Sequence, residues 1–457
     1  MSWFTKFILV TYALGAGAVI LFVVLNWQAY GASPVGIALY FVGPMAVFTI
    51  SLSFLFLARK NPQIIFVSVT LVALAAGYLF EAIIFFQNTV FAQGDEKPST
   101  REMLGRENPI FLMPGPMEFA AGFEITPGEV VVPLGGVPNV PTAVWVTQSD
   151  EPDIYLSDRF GFRNPDEVWD TPHVRLAAVG DSFTFGAQST IENSIVGRLR
   201  SLEPSTVNLG RGGNGPLTEL ATIREYLTPA EPEIVIWFYY SNDLEQDLER
   251  ERGSPVLSRY ADPEFTQDLG SRAEVYATAF RQAYVDKATA KQETPDASRN
   301  ADSNAGWLER LRFGQGANPL NKFGFLTLRR TRTSLGLVKG GGDWPDPLEE
   351  PMKNILNQAQ ESVAAWDGVL VFVYLPSWAE IVNNDRTKFD FRNAALRAAH
   401  ASEIPVLDLF DRFNAHPDPK SLWPDRRPGH YGLRGNALAA EEVVRWLEQI
   451  GVWPIPR

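Results

Sequence analysis

The chain has no cysteine among its 457 residues. That removes disulfides, thiolate nucleophiles and Cys-ligated zinc or iron–sulfur centres, and it fits an exported domain that needs no covalent staples. Basic charge is also in short supply, with 40 Lys and Arg against 53 Asp and Glu and a net charge of -13. Too little positive surface is left to neutralise phosphates, so a nucleic-acid partner is excluded. Only four histidines occur, so a general base of that type must come from His173, His400, His416 or His430. Metal-ligand spacings, phosphate-cradling Gly-rich loops and flavin fingerprints are missing too, and neither cofactor nor metal is expected.

Charge is nearly absent from the first 90 or so residues. Residues 7–25 and 35–58 carry none, and residues 63–86 carry only Glu81. Each run is long enough to cross a hydrocarbon core of ~30 Å at about 1.5 Å per helical residue. A cleaved signal peptide fits less well, because the first run exceeds the usual ~7–15 apolar residues and two more follow. Lys6 precedes the first run, Arg59 and Lys60 separate the second from the third, and Gly94-Asp95-Glu96 follows the third. The positive-inside rule then places the N-terminus in the cytoplasm and everything after residue 88 outside. The expectation is an inner (plasma) membrane protein with a periplasmic or extracytoplasmic C-terminal domain. Glu81, near the outer end of its run, reads as a side chain reaching the headgroups.

Beyond the anchor the pattern changes. Residues 89–170 are rich in Pro and Gly with short β-like runs, and read as a linker with a small irregular or β subregion. From residue 174, strands and helices alternate. Val174–Val179, Val207–Leu209, Ile234–Tyr239, Val369–Tyr374 and Ile404–Leu409 read as strands. Helical spacing appears at Ile195, Leu199 and Leu202, at Leu220, Ile223 and Leu227, and at Ala440, Val443, Val444 and Leu447. This alternation predicts a parallel sheet covered by helices on both faces, with ligands at the C-terminal strand ends. The units expected are an anchor at 1–88, the subregion at 89–170, and an α/β domain at 171–450 interrupted by an insertion at about 250–350. Within the insertion, 292–306 has a disordered composition. Lys322, Arg329, Arg330 and Arg332 form a basic cluster that reads as a solvated face, or as a lid or a contact for anionic headgroups or glycans.

Four short blocks follow the strand ends. Gly180-Asp181-Ser182 places a hydroxyl where a strand gives way to a helix, whose first N–H groups can face a developing oxyanion. Asn208-Leu209-Gly210-Arg211-Gly212-Gly213 follows the second strand, Tyr240-Ser241-Asn242-Asp243 the third, and His430-Tyr431-Gly432-Leu433-Arg434-Gly435 leads into the last helix. Together, in this order, they resemble the SGNH (GDSL) hydrolase family over roughly residues 155–450. Two further segments are similar to envelope-associated members: Asp158–Pro165 upstream of the first strand, and Tyr374-Leu375-Pro376-Ser377 after the fourth.

The resemblance implies a flavodoxin-like three-layer α/β/α fold with a parallel sheet, the SGNH hydrolase fold, here joined to three N-terminal transmembrane helices. It implies Ser182 as nucleophile and, through its N–H, as an oxyanion donor. Gly213 is implied as a backbone donor, Asn242 as a side-chain donor and His430 as general base. Two departures stand out. Tyr240 replaces the family's glycine. The family's acid, usually three and sometimes two residues before the histidine, is replaced by Arg427 and Pro428. Asp425, five residues before His430, completes a triad if the loop Arg426–Gly429 bulges; otherwise the site runs as a Ser–His dyad, and Arg427 would hinder formation of the imidazolium. The implied function is a serine esterase or O-acyltransferase acting on an acylated cell-envelope glycan or lipid-linked substrate. A membrane-protein partner through the three spans is expected as well. The rival reading is a catalytically decayed module kept for binding or assembly in a membrane complex.

Overall fold

The computed structural model describes residues 3–25, 43–56, 62, 65–67, 69–70, 98, 100–115, 118–147, 149, 151–290, 349–383 and 390–453. The chain divides into two compact units, Met1–Lys97 with Pro295–Trp344, and Pro98–Thr294 with Pro345–Arg457. In the first unit, helices Trp3–Leu25 and Gly43–Phe56 pack on each other. Among the described residues no helix is long and apolar enough to cross a membrane, so the three expected spans gain no support there. Gly43–Phe56 covers only part of the second run, and its 14 residues reach about 21 Å at 1.5 Å each. Most of the third run, Glu81, and residues 291–348 with their basic cluster lie outside the described residues.

The second unit is an α/β structure built on a five-stranded parallel sheet. Ahead of it lie β1 (Phe111–Leu112), β2 (Phe123–Thr126), β3 (Glu129–Val131), β4 (Pro141–Trp145) and β5 (Pro152–Leu156). The large sheet is β6 (Leu176–Val179), β7 (Thr206–Asn208), β8 (Ile234–Tyr239), β9 (Val369–Tyr374) and β10 (Val406–Asp408). Its order is β10-β9-β8-β6-β7. Counted by appearance this is 2-1-3-4-5, the flavodoxin-like winding, with the strand order reversing beside β6. The strands follow the apolar runs of the sequence, trimmed at the ends of β6, β7 and β10.

Alternation along each strand splits the side chains between two cores. Ala177, Val179, Val235, Trp237, Tyr239, Phe372 and Tyr374 face one side. Leu176, Ala178, Ile234, Ile236, Phe238, Val371 and Val373 face the other. Strands buried on both faces must be apolar at every position, which is why they read as continuous runs rather than as alternation. The final helix, Leu433–Gln449, covers the second face through Ala439, Ala440, Val443 and Leu447.

Residues 98–170 belong to the same compact unit as the sheet, not to a separate one. β4 pairs with β1 in parallel and with β5 antiparallel, while β2 and β3 form a hairpin. Phe119 and Phe123 pack on Tyr276 and Phe280 of the helix Ala273–Ala290, and the group is continuous with the first core. The insertion therefore starts with an ordered helix that completes the subregion.

The segment Asp158–Pro165 is a buried polar knot. The Asp158 carboxylate accepts hydrogen bonds from Phe160 N (3.0 Å), Phe162 N (2.8 Å), Asn164 Nδ2 (2.8 Å) and Trp169 Nε1 (2.8 Å). Burial pushes its pKa up to about 6 against these four bonds. Losing the acceptor strands several buried donors, each costing about 1–3 kcal/mol. Asp158→Ala is expected to lower unfolding free energy by about 3 kcal/mol, read as a shifted urea midpoint at pH 7. A midpoint unchanged from wild type would contradict this role.

Candidate active site

The four blocks converge at the C-terminal ends of β6, β7 and β8. β6 ends at Val179, and Gly180 turns the chain with φ +152. A Cβ there would stand 2.2 Å from Thr184 Oγ1 and 2.7 Å from Phe238 O, so only glycine fits. Asp181 caps the short helix Ser182–Phe185, its carboxylate accepting from Phe183 N at 2.9 Å. Ser182 is the first residue of that helix, and its side chain stands at the sheet rim.

His430 arrives 248 residues later, just before the final helix, and its Nε2 lies 2.7 Å from Ser182 Oγ. The imidazole packs on Phe183, with ring centroids 4.8 Å apart. The neighbouring Tyr431 donates its hydroxyl to Pro376 O at 2.7 Å. The Tyr374–Ser377 segment thus anchors the residue that follows His430. Ser182 Oγ also lies 3.2 Å from Asp181 Oδ2, the longer of its two contacts.

Asp425 does not complete a triad. It lies exposed in the short turn Pro424–Arg426 with φ +51. The buried His430 Nδ1 has no hydrogen-bond partner among the described residues. The bulge that would swing Asp425 inward has instead formed outward, with Arg426 also left-handed and paired with Asp418. Arg427 is exposed, and burial alone lowers the His430 pKa to about 4. The expected repulsion from Arg427 therefore has no counterpart. What remains is a serine–histidine pair whose imidazole is neutral near pH 7 and has no acid behind it among the described residues.

Block two lies against the nucleophile. A Cβ on Gly212 would stand 3.8 Å from Ser182 Cβ, and Arg211 N donates to Gly180 O at 3.2 Å. Gly213 adopts φ +74, a left-handed conformation. Asn242, after β8, donates from Nδ2 to Asp247 Oδ2 at 2.8 Å and also hydrogen-bonds Asp181, whose acidity it raises. The Asn242 amide therefore sits beside the residue that precedes the nucleophile. Tyr240 stacks on Phe183 with centroids 4.2 Å apart, filling the space a glycine would leave open.

Carboxyl groups crowd the floor of the site. Burial raises Asp181 and Asp247 to about 6 and Glu251 to about 7. Glu219 and Asp243 are pushed well above the usual range by burial and by the neighbouring carboxylates. Among the described residues no group of three or more Asp, Glu or His is arranged to hold a metal ion.

Several positioning residues were not legible as such in the sequence. Arg163, fully buried, pairs with Asp153 (2.7 Å) and donates to Gly186 O and Ser189 O (2.9 Å each). It thereby ties the upstream segment to the loop after the nucleophile helix. Asn164 donates to Asn208 O and accepts from Asn208 N, pinning the end of β7. In the sequence the segment Asp158–Pro165 resembles a family motif, but nothing in its spacing discloses these partners.

No family model matches the chain, and no curated protein matches it. Solved structures similar to it are GDSL-type lipases, acylhydrolases and acetylxylan esterases. One is a lipase/acylhydrolase from Enterococcus faecalis, 12% identical, covering 60% of this chain and 96% of that one, with a TM-score of 0.32. Another is a lipolytic protein of the G-D-S-L family from Desulfitobacterium hafniense, 16% identical, covering 60% and 99%, with a TM-score of 0.29. A third is a catalytic mutant of an acetylxylan esterase from Geobacillus stearothermophilus, 15% identical, covering 62% and 96%, with a TM-score of 0.29. At these scores the likenesses carry no argument about mechanism, which rests on the geometry above.

The lowered His430 pKa sets a pH signature. Its base form persists until the pH falls toward about 4. The raised carboxyls (Asp158, Asp181, Asp247, Glu251) favour the folded state most below their unfolded pKa, and that contribution fades as pH rises through about 6 to 7. Acidification from pH 8 to 5 therefore does not unfold the unit through these groups. Labelling of Ser182 by a fluorophosphonate is expected to keep its rate from pH 8 to 5. A half-loss near pH 6.5 would show an ordinary, solvated imidazole instead.

Proposed function

We propose that the protein is a serine ester hydrolase or O-acyltransferase working through a Ser182–His430 dyad. The 2.7 Å contact between Ser182 Oγ and His430 Nε2 is the observation that supports this reading most. A hydroxyl becomes a nucleophile when a neutral base accepts its proton within hydrogen-bond reach. Ser182 Oγ attacks the ester carbonyl carbon while its proton passes to Nε2. The C–O bond to the leaving alcohol then breaks, and His430 returns the proton to that alcohol. Water or a sugar hydroxyl next attacks the acyl-serine carbonyl, giving its proton to His430; the acyl C–Oγ bond then breaks, releasing the acid or the acylated sugar, and His430 returns the proton to Ser182 Oγ. The carbonyl oxygen carries negative charge in both addition steps. Gly213 N–H and the Ser182 N–H are the donors proposed for it, joined by the Asn242 Nδ2–H that faces Asp181 once it turns to the oxyanion, each worth about 3–4 kcal/mol.

That no acid meets Nδ1 among the described residues bears on the rate rather than on the reaction. With Nδ1 unpartnered, the imidazolium gains no stabilisation from behind, and in serine proteases blocking this role costs about 10⁴ in turnover. A slow enzyme follows. The same orphaned nitrogen favours the second reading, a decayed module retained for binding or assembly in a membrane complex.

The substrate proposed is an acylated glycan or lipid-linked molecule of the cell envelope, with O-acetyl groups foremost. Support comes from the uncharged N-terminal runs, which read as an anchor in the inner membrane with the catalytic unit outside. The stacked Phe183 and Tyr240 rings close one side of the site and favour a short acyl group.

The purified protein should label at Ser182 with a fluorophosphonate and hydrolyse p-nitrophenyl acetate. Ser182→Ala and His430→Ala should each lose more than about a hundredfold in turnover. A folded wild-type protein with neither labelling nor turnover across pH 6–9 would leave the binding module as the better account. Tyr240→Gly should shift preference toward longer acyl chains, measured as the ratio of kcat/KM for p-nitrophenyl butyrate over acetate. An unchanged ratio would remove Tyr240 as the acyl-side wall.

A further inference from the structure

We propose that Arg250, acting with Asp247, is a positioning residue that holds both remote oxyanion donors, Gly213 and Asn242, in one rigid frame; this rests on the esterase reading. The two donors come from loops after different strands, β7 and β8, and neither loop alone fixes the separation between them. The segment after Asn242 bridges them. Arg250 donates from one terminal nitrogen to Gly213 O at 2.7 Å, and the same nitrogen is ion-paired with Asp247. Asp247 in turn accepts the Asn242 Nδ2 hydrogen bond at 2.8 Å. A chain of three contacts thus runs from Gly213 to Asn242 through one guanidinium and one carboxylate.

The local backbone makes this possible. In an α-helix, residues five apart stand about 140° apart around the axis and do not meet. Here the turn Asp243–Asp247 is a π-helix, whose i to i+5 repeat brings residue 247 back under residue 242. The α-helix Leu248–Arg252 follows and carries Arg250 toward Gly213. Its next residue, Glu251, accepts from Gly215 N (2.7 Å) and Leu217 N (2.9 Å), so the same segment grips the block-two loop twice.

The arrangement suits positioning better than proton transfer. Asp247 has a side chain only 4% exposed, which strengthens a charge-assisted hydrogen bond and limits swinging. At Gly213, where a left-handed φ of +74 favours glycine, the carbonyl held by Arg250 belongs to the peptide that follows the donor N–H, so the guanidinium acts on the donor through the Gly213 ψ angle.

The test uses the full chain and p-nitrophenyl acetate. Arg250→Ala should lower kcat by about ten- to hundredfold, as a displaced donor does, with KM changed by less than about threefold. Added guanidinium chloride at low concentration should restore part of the loss, and Arg250→Lys should fall between the two. In an Asn242→Ala background, the Arg250→Ala loss should shrink, because part of what Arg250 holds is already gone. A purely structural arginine would give neither rescue nor coupling. Should Arg250→Ala fail to fold, Arg250→Lys and Asp247→Asn carry the same kcat and coupling measurements. Folded variants with kcat within about twofold of wild type, or fully additive losses, overturn the proposal while leaving the esterase intact. A wild-type protein no more active than Ser182→Ala overturns the esterase reading and this inference with it.

Discussion

The hydrogen bond between Ser182 and His430 is the contact on which the site depends, and the fold exists around it in a specific sense. The two residues are 248 positions apart, and no local structure can bring them together. A parallel sheet does so because every strand delivers its following loop to the same rim. The winding places β6, which carries the serine, between β7 and β8. The loops with Gly213 and Asn242 therefore flank Ser182 on both sides. The base comes from beyond the last strand and is brought back by the final helix, which packs along the sheet face through Ala439, Ala440 and Val443.

Polar burial around this rim has a consistent logic. Arg163, Asn164 and Asp158 form one knot that pins the nucleophile loop and the end of β7. Asp247, Arg250 and Glu251 form another that grips the loops carrying Gly213 and Asn242. Pro376 holds Tyr431, the neighbour of His430. Each knot spends buried charge or buried hydrogen bonds to fix loops that would otherwise be mobile, which is the requirement for donors that act without reorganising. The exception is His430 Nδ1. Every neighbouring element is held, yet the atom that would receive an acid has none among the described residues.

The core of the fold was legible because buried parallel strands leave a plain mark. Ile234–Tyr239 and Val369–Tyr374 carry six apolar or aromatic residues in a row, and both strands match those bounds. Ser182 and His430 were legible because strand-end placement and motif order constrain them jointly. Asp425 was not settled by spacing, since the direction of the 426–429 loop depends on left-handed residues at 425 and 426 that the sequence does not disclose. Arg250 was invisible for a different reason. Inside the run Leu248–Arg252 it reads as one charge on a solvated face, and the π-turn that redirects it has no residue signature. At the N-terminus the sequence speaks clearly of an anchor, while the described helices give it no support.

The most direct measurement is acid-quench mass spectrometry of the protein mixed with p-nitrophenyl acetate. A dyad that works by covalent catalysis places an acetyl group on the peptide containing Ser182 within the first turnovers, and the adduct accumulates if deacylation is the slower step. Turnover with no acetyl on that peptide, or acetyl only on another residue, would contradict the account.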